Sequence, residues 1–209
     1  VRARAEAVTL ASRSGIETWR GGTERCTVFR GHGRFESPTT IRVDGADKAS
    51  ELLTAKKIFI NVGGRARVPS ATDMPGIDKV PFLTNTSMLA LGELPRHLVV
   101  IGGSYIGLEF AQMYRRFGSE VTVIEMGPRL LSREDPDISD AIKGILEREG
   151  IQVRLDAKCI SLGTSKSGEA SVHLDCEEER VAGGSLTVKG THVLLAIGRV
   201  PNTGDLGLD

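Results

Sequence analysis

Leu98-Val99-Val100-Ile101-Gly102-Gly103-Ser104-Tyr105-Ile106-Gly107-Leu108-Glu109 sets an apolar run against a glycine cluster and then a helical pattern. That is how a strand turns into a helix that receives a pyrophosphate. The first turn of such a helix offers unpaired backbone N–H groups and the positive end of the helix dipole, so phosphate oxygens can sit there without a cationic side chain. In the dinucleotide fingerprint G-x-G-x-x-G, the first glycine makes the tight turn and the second lets the phosphates approach the backbone. The third lets the helix pack closely on its strand. Here these positions are Gly102, Ser104 and Gly107, with Gly103 between the first two. Serine replaces the middle glycine, so the loop must hold its Cβ and hydroxyl clear of a ligand.

The flanking sequence supports the fingerprint. Ile106, Phe110, Met113, Tyr114 and Phe117 form a helical stripe across 105–117, and Gly118 follows where a C-cap glycine stops a helix. A second apolar strand, Val121-Thr122-Val123-Ile124, ends in Glu125. That is about 20 residues past the glycines, where an acidic side chain accepts from both hydroxyls of an adenosine ribose. A carboxylate there repels a 2′-phosphate and favours NAD over NADP; Arg129 is close enough in sequence to keep NADP open. The blander alternative is a tight turn followed by a solvated strand end.

A chain of 209 residues that is 40% hydrophobic can bury a sizeable core, as one large domain or two small ones. Lys plus Arg equals Asp plus Glu at 27 each, so no global field recruits nucleic acid or an anionic membrane. No apolar run approaches the roughly 20 residues needed to span a bilayer, and residues 1–4 begin a polar helical pattern with no signal-peptide core. Neither a nucleic acid nor a membrane is therefore expected as a partner. Cys26, Cys159 and Cys176 are an odd, sparse set without a C-x-x-C pair. This is the usage of a reduced cytoplasmic protein in which each cysteine is small core filler. His32, His97, His173 and His192 are equally scattered, so no metal site is expected.

Along the chain, residues 1–20 read as a helix with Ala5, Val8, Ala11 and Ile16 among polar residues. Short strands are expected at 26–29, 34–36, 40–43 and 57–60, separated by Gly31-His32-Gly33, Ser37-Pro38 and Asp44-Gly45. Residues 65–96, with Pro69, Pro75, Pro81 and Pro95, look like a connecting segment. Next comes strand, helix, strand, helix, strand, the second helix opened by Asp135-Pro136 and closed by Gly150 before a strand over 151–155. More short strands are expected near 157–162, 170–175 and 184–188, and an apolar one over 193–197. Residues 58–65 and 193–199 are both apolar segments ending in glycine and arginine, a faint repeat of the kind two related nucleotide domains would leave.

Four motifs in order now carry a resemblance: Arg30-Gly31-His32-Gly33-Arg34-Phe35; Ile60-Asn61-Val62-Gly63-Gly64-Arg65 with Pro69 and Met74-Pro75-Gly76; Gly102 to Phe110; and Ala196-Ile197-Gly198-Arg199-Val200-Pro201-Asn202. Over nearly the whole chain this is similar to the FAD-dependent pyridine nucleotide-disulfide oxidoreductases, relatives of dihydrolipoamide dehydrogenase and glutathione reductase. Arg133-Glu134-Asp135-Pro136 is similar to the mercuric reductase branch. The resemblance implies an α/β fold: a Rossmann-like NAD(P)-binding domain with an inserted β-meander, plus the remnant of a related FAD-binding domain. It divides the chain into a partial FAD-binding domain of helix and antiparallel strands (1–70), a connecting segment (71–95), the NAD(P)-binding domain (96–200) and a return segment (201–209).

The same resemblance implies that NAD(P)H reduces FAD, which reduces a disulfide that passes electrons to a substrate. His32 and Gly33 would touch the FAD adenine through their backbone, and Gly63 would approach the FAD. Tyr105 would cover the nicotinamide pocket and move aside on entry. Glu109 would lie near nicotinamide and flavin, Glu125 on the adenosine ribose, and Gly198 and Arg199 beside the nicotinamide half. Read without the family, Glu109 is a solvated first-turn acid and Tyr105 a half-buried packing aromatic.

Asn61-Val62 stands where the family usually has Ala-Thr, and Ala66 where it often has Pro. The family's N-terminal FAD fingerprint, C-x-x-x-x-C pair, C-terminal FAD-binding Asp and dimerisation domain do not occur in these 209 residues. The chain therefore reads as an internal piece of a homodimeric enzyme roughly twice as long, inactive by itself. The alternative is a non-catalytic or redox-sensing nucleotide-binding module, or a flavoprotein lacking the disulfide.

Overall fold

A computed structural model describes residues 1–46, 49–165, 168, 170–174 and 187–208. In chain order the elements are α1 (Arg2–Gly22), β1 (His32–Ser37), β2 (Thr40–Asp44), β3 (Ser50–Thr54), β4 (Gly64–Ala66), α2 (Asn85–Ala90), β5 (His97–Ile101), α3 (Tyr105–Phe117), β6 (Glu120–Ile124), α4 (Pro136–Arg148), β7 (Gln152–Arg154), β8 (Ile160–Thr164), β9 (Ala170–Leu174), β10 (Thr187–Gly190), β11 (His192–Leu195) and β12 (Arg199–Pro201). The chain divides into two compact units, Val1–Arg65 with Val200–Asp209, and Ala66–Arg199. Among the described residues no helix is long and apolar enough to cross a membrane.

The second unit is built on a four-stranded parallel sheet in the order β11-β5-β6-β7. Strands β5, β6 and β11 are buried on both faces, so they read as near-continuous apolar runs, while the edge strand β7 is only half-buried at Val153. Because side chains alternate across a strand, Leu98 and Val100 face one layer and Val99 and Ile101 the other. The first layer comes from the helices, with Leu108, Ala111 and Tyr114 of α3, Leu146 of α4 and Met88 of α2. Among the described residues the opposite layer holds no helix. It is closed by the antiparallel sheet β8-β9-β10, through Ile160, Leu162 and Val172, and by Met74, Ile77 and Val80. This is a Rossmann-like α/β unit in which an antiparallel meander replaces the helical crossover between β7 and β11.

The chain winds from β5 through α3 to β6 and through α4 to β7, then returns to pair β11 with the other side of β5. Between β5 and β11 the order reverses, and in open α/β sheets ligands bind at the carboxyl ends of strands flanking such a point. The register brings those ends level: Leu195 pairs with Ile101, and Ile101 with Ile124. Gly102, Glu125 and Ala196 therefore emerge at one edge of the sheet.

Helix caps follow the sequence closely. Gly118 takes the left-handed conformation (φ +109°) that ends α3, and Asp135 with Pro136 opens α4. The buried face of α3 centres on Gly107, Leu108, Ala111 and Tyr114, while Phe117 stays exposed. The expected stripe is thus rotated toward small residues, which let the helix approach the sheet. The connecting segment contributes more than a link. It forms α2, and Leu83 bridges to the outer edge of β11, donating to Val193 O at 2.7 Å and accepting from Leu195 N at 2.9 Å.

The first unit pairs β1-β2-β3 antiparallel, with β3 unexpected. Residues 26–29 and 57–60 were expected as strands and are not, although they are apolar. A strand is completed by a hydrogen-bonded neighbour, and these residues stay outside every ladder among the described residues, with Phe59 88% exposed. The apolar part of the faint repeat's first half, 58–62, is accordingly no strand, and only its end enters β4, whereas the apolar part of its second half, 193–195, belongs to β11. Helix α1 buries none of its residues, so Val8 and Ile16 are exposed rather than core-facing. Cys26 and Cys159 are exposed too, which corrects their reading as core filler; neither is disulfide-bonded. Cys176, residue 175 and the first part of the strand expected near 184–188 lie outside the described residues.

Candidate functional site

A cavity of about 560 Å³ opens at the carboxyl edge of the parallel sheet, inside the second unit. Its floor is the turn out of β5. Gly102 has φ +115°, and a Cβ there would meet the carbonyl of Ala196 on the neighbouring strand. This turn demands glycine for both its conformation and its space. Gly107 lies beneath the loop in an α-helical turn, where a Cβ would strike the Gly102 carbonyl oxygen and come within 3.2 Å of Val100 and Ala196 side chains. These are the turn-forming and close-packing roles that the fingerprint requires.

Ser104 behaves differently from the fingerprint's middle glycine. It is the N-cap of α3 with φ −107° and ψ −179°, extended backbone that any residue adopts. It is exposed, and its side chain makes no capping hydrogen bond. The serine therefore costs the loop nothing, and the amides of Tyr105, Ile106 and Gly107, which begin α3, have no intrahelical acceptor. Gly103 is the residue closed in from above: its N–H donates to Glu125 Oε2 at 2.6 Å and its carbonyl accepts from Leu131 N at 2.9 Å.

Glu125 sits at the end of β6, where its second oxygen accepts from Gly127 N at 2.8 Å. Two backbone donors thus fix the carboxylate at the cavity wall. A carboxylate has about four lone-pair positions, so it retains acceptor capacity for a ligand's hydroxyls. Gly102, Gly103, Ser104, Tyr105, Ile106, Glu125, Gly198 and Arg199 all line this cavity. Gly107 supports it from below. Glu109 is exposed on α3 outside the lining, and Arg129 turns its guanidinium to the Ser132 carbonyl at 3.2 Å. In the loop that follows β6, it is Arg133 that lines the cavity.

Sequence reasoning also missed Ala196 and Ile197 in the wall; the glycine ending the 193–197 run was their available signal. It missed the partner of Tyr105 as well. The half-exposed phenol (52%) donates to Glu134 Oε1 from 29 residues away in sequence. That hydrogen bond, then partial desolvation and the Glu134 charge, hold Tyr105 above its ordinary pKa of 10.0, with Arg133 opposing.

In the first unit, His32 and Gly33 line a separate hollow of about 480 Å³ with Phe35, Ile41, Phe59 and Asp205. His32 Nε2 lies 3.5 Å from Asp205 Oδ2. Gly63 (φ +68°) is in neither lining. Among the described residues no group of three or more His, Cys, Asp and Glu is arranged to hold a metal ion.

Glycine turn, open helix terminus and fixed carboxylate at the switch point of a parallel sheet define the class: a Rossmann-like α/β protein. Over residues 3–208 the chain matches the pyridine nucleotide-disulphide oxidoreductase family, and it belongs to that family. It is 35% identical over 185 residues to the dihydrolipoyl dehydrogenase of Trypanosoma brucei brucei, covering 88% of this chain and 38% of that protein. To a mercuric reductase of Lysinibacillus sphaericus it is 32% identical over 181 residues, 87% of this chain and 31% of that one. Among solved structures, the Cu(II) complex of the HOCl-induced flavoprotein disulfide reductase RclA from Escherichia coli superposes with a TM-score of 0.83 at 31% identity, covering 98% of this chain and 44% of that chain. The chain therefore spans less than half the length of these relatives.

Proposed function

We propose that this chain is the nicotinamide-dinucleotide-binding portion of an FAD-dependent disulfide oxidoreductase, with NAD preferred to NADP. The observation that carries the reading is the coincidence, at one cavity, of a left-handed Gly102, a close-packed Gly107, an open α3 terminus and Glu125. These residues fit a dinucleotide. The first amides of α3 receive the pyrophosphate, and Glu125 takes the adenosine ribose hydroxyls. Tyr105 and the Gly198-Arg199 segment border the nicotinamide half. In the first unit, His32 and Gly33 would meet the adenine of FAD through their backbone, with Gly63 approaching the FAD.

When bound, NAD(P)H would supply a hydride to the flavin, and the reduced flavin would pass the electron pair on to the redox disulfide. What these residues contribute is binding and orientation at one end and exclusion of water by Tyr105 at the other. Cys26, Cys159 and Cys176 are not spaced as the C-x-x-x-x-C pair of the family, so the disulfide belongs to residues outside this chain. The family relationship supports the reading, because the relatives' names are those of oxidoreductases.

Calorimetric titration with NADH and NADPH tests it. NADH is expected to bind about tenfold or more tighter, since Glu125 repels a 2′-phosphate and loses its hydroxyl contacts. Equal affinities or tighter NADPH would overturn the role of Glu125; binding of neither would overturn the nucleotide reading.

A further inference from the structure

The hydrogen bond from Tyr105 to Glu134 joins two elements that border the same cavity. Tyr105 is the first residue of α3, lines the cavity and is half exposed, which puts its ring at the rim. Glu134 follows the β6 loop, next to the lining residue Arg133, and its backbone is fixed by donation from Glu134 N to Leu131 O at 2.8 Å. One end of the bond is thus a ring free to turn about two side-chain torsions, and the other is a carboxylate on an anchored backbone. Nothing in the nucleotide reading itself calls for this carboxylate.

We propose that Glu134 is a positioning residue that latches the Tyr105 ring at the rim of the nucleotide cavity, so that a nicotinamide dinucleotide gains entry by breaking this hydrogen bond. The latch rests on the reading of the cavity as a dinucleotide site. While the bond is made, the fraction of molecules open to ligand falls, and the apparent dissociation constant rises by the same factor. A second effect of Glu134 runs the same way: its charge repels phosphate. The two are separable, because glutamine removes the charge and keeps an acceptor for the phenol, whereas alanine removes both.

The test uses the whole chain with NADH and, independently, without any ligand. If the latch operates, Glu134→Ala lowers the NADH dissociation constant about three- to tenfold, Tyr105→Phe does the same, and the double variant shows no further gain. Glu134→Gln stays near wild type. In ligand-free protein labelled with ¹³C at tyrosine Cζ, with Tyr114→Phe assigning the resonances, Glu134→Ala moves the Tyr105 titration down and Glu134→Gln moves it less. Glutamine behaving like alanine in affinity, additive single variants, or a Tyr105 titration indifferent to Glu134 would each overturn the latch. If wild type binds no NADH while that titration still follows Glu134, the latch stands as a contact and the nicotinamide reading falls.

Discussion

Gly107 leaves no room for a side chain between α3 and the turn out of β5. Valine there would press on the Gly102 carbonyl and on Val100 and Ala196, an overpacking worth about 1–3 kcal/mol or more. Relieving it moves the helix terminus away from the site where phosphate would sit. Gly107→Val is therefore expected to lose NADH binding by calorimetry, while Ser104→Gly, at an extended N-cap, keeps it within about twofold. Normal binding by a folded Gly107→Val protein would remove residues 102–107 from the phosphate site. Glu125 is the second such residue. Glutamine can accept at only one of its two terminal atoms, so either Gly103 or Gly127 N–H loses its acceptor. Glu125→Gln should cost about 1–3 kcal/mol, read as a lower urea midpoint, and narrow the difference between NADH and NADPH.

Glu149, just past α4, ties that helix to α3. Its carboxylate accepts from Arg116 at 2.7 and 2.9 Å and from Gln112 at 2.8 Å, and its carbonyl accepts from Arg115 at 2.8 Å. The Arg116 hydrogen bonds, before the other contributions, hold its carboxyl below the ordinary 4.5. A carboxyl depressed on folding adds stability that is present above the unfolded value and is lost as pH falls through the folded one. Urea midpoints followed from neutral pH into the acid range should thus fall more steeply for wild type than for Glu149→Gln, and parallel curves would show that the tie contributes nothing. Elements of this kind were only partly legible in the sequence. The strand-glycine-helix core, Gly118 and Asp135-Pro136 were readable because local pattern and capping chemistry agree there. Residues 26–29 and 57–60 misled because a short apolar segment set off by turn signals reports a chain that can pair and says nothing of a neighbour. Leu83 on the β11 edge, and Glu134 under the Tyr105 hydroxyl, are contacts between residues far apart in sequence. No periodicity encodes them.

The two units differ in how much they bury. The parallel sheet has packed layers on both faces, whereas among the described residues of the first unit Leu206 is the one buried hydrophobic. Local opening free energy follows buried apolar contact. Hydrogen exchange should therefore be slowest in β5, β6 and β11, and limited proteolysis should cut first within residues 1–65 and leave a resistant core across 66–199. Equal protection in both units would contradict this. One small feature of that core bears on how the protein behaves when crowded. The rim of a sheet is a row of unspent amide groups, a ready template on which another chain can lay itself down. By donating to Val193 and accepting from Leu195, Leu83 takes up that row along β11, leaving the three-residue β7 at the opposite margin. A segment that looks like mere tether thereby denies fibrils a foothold on the most apolar strand at the sheet's border.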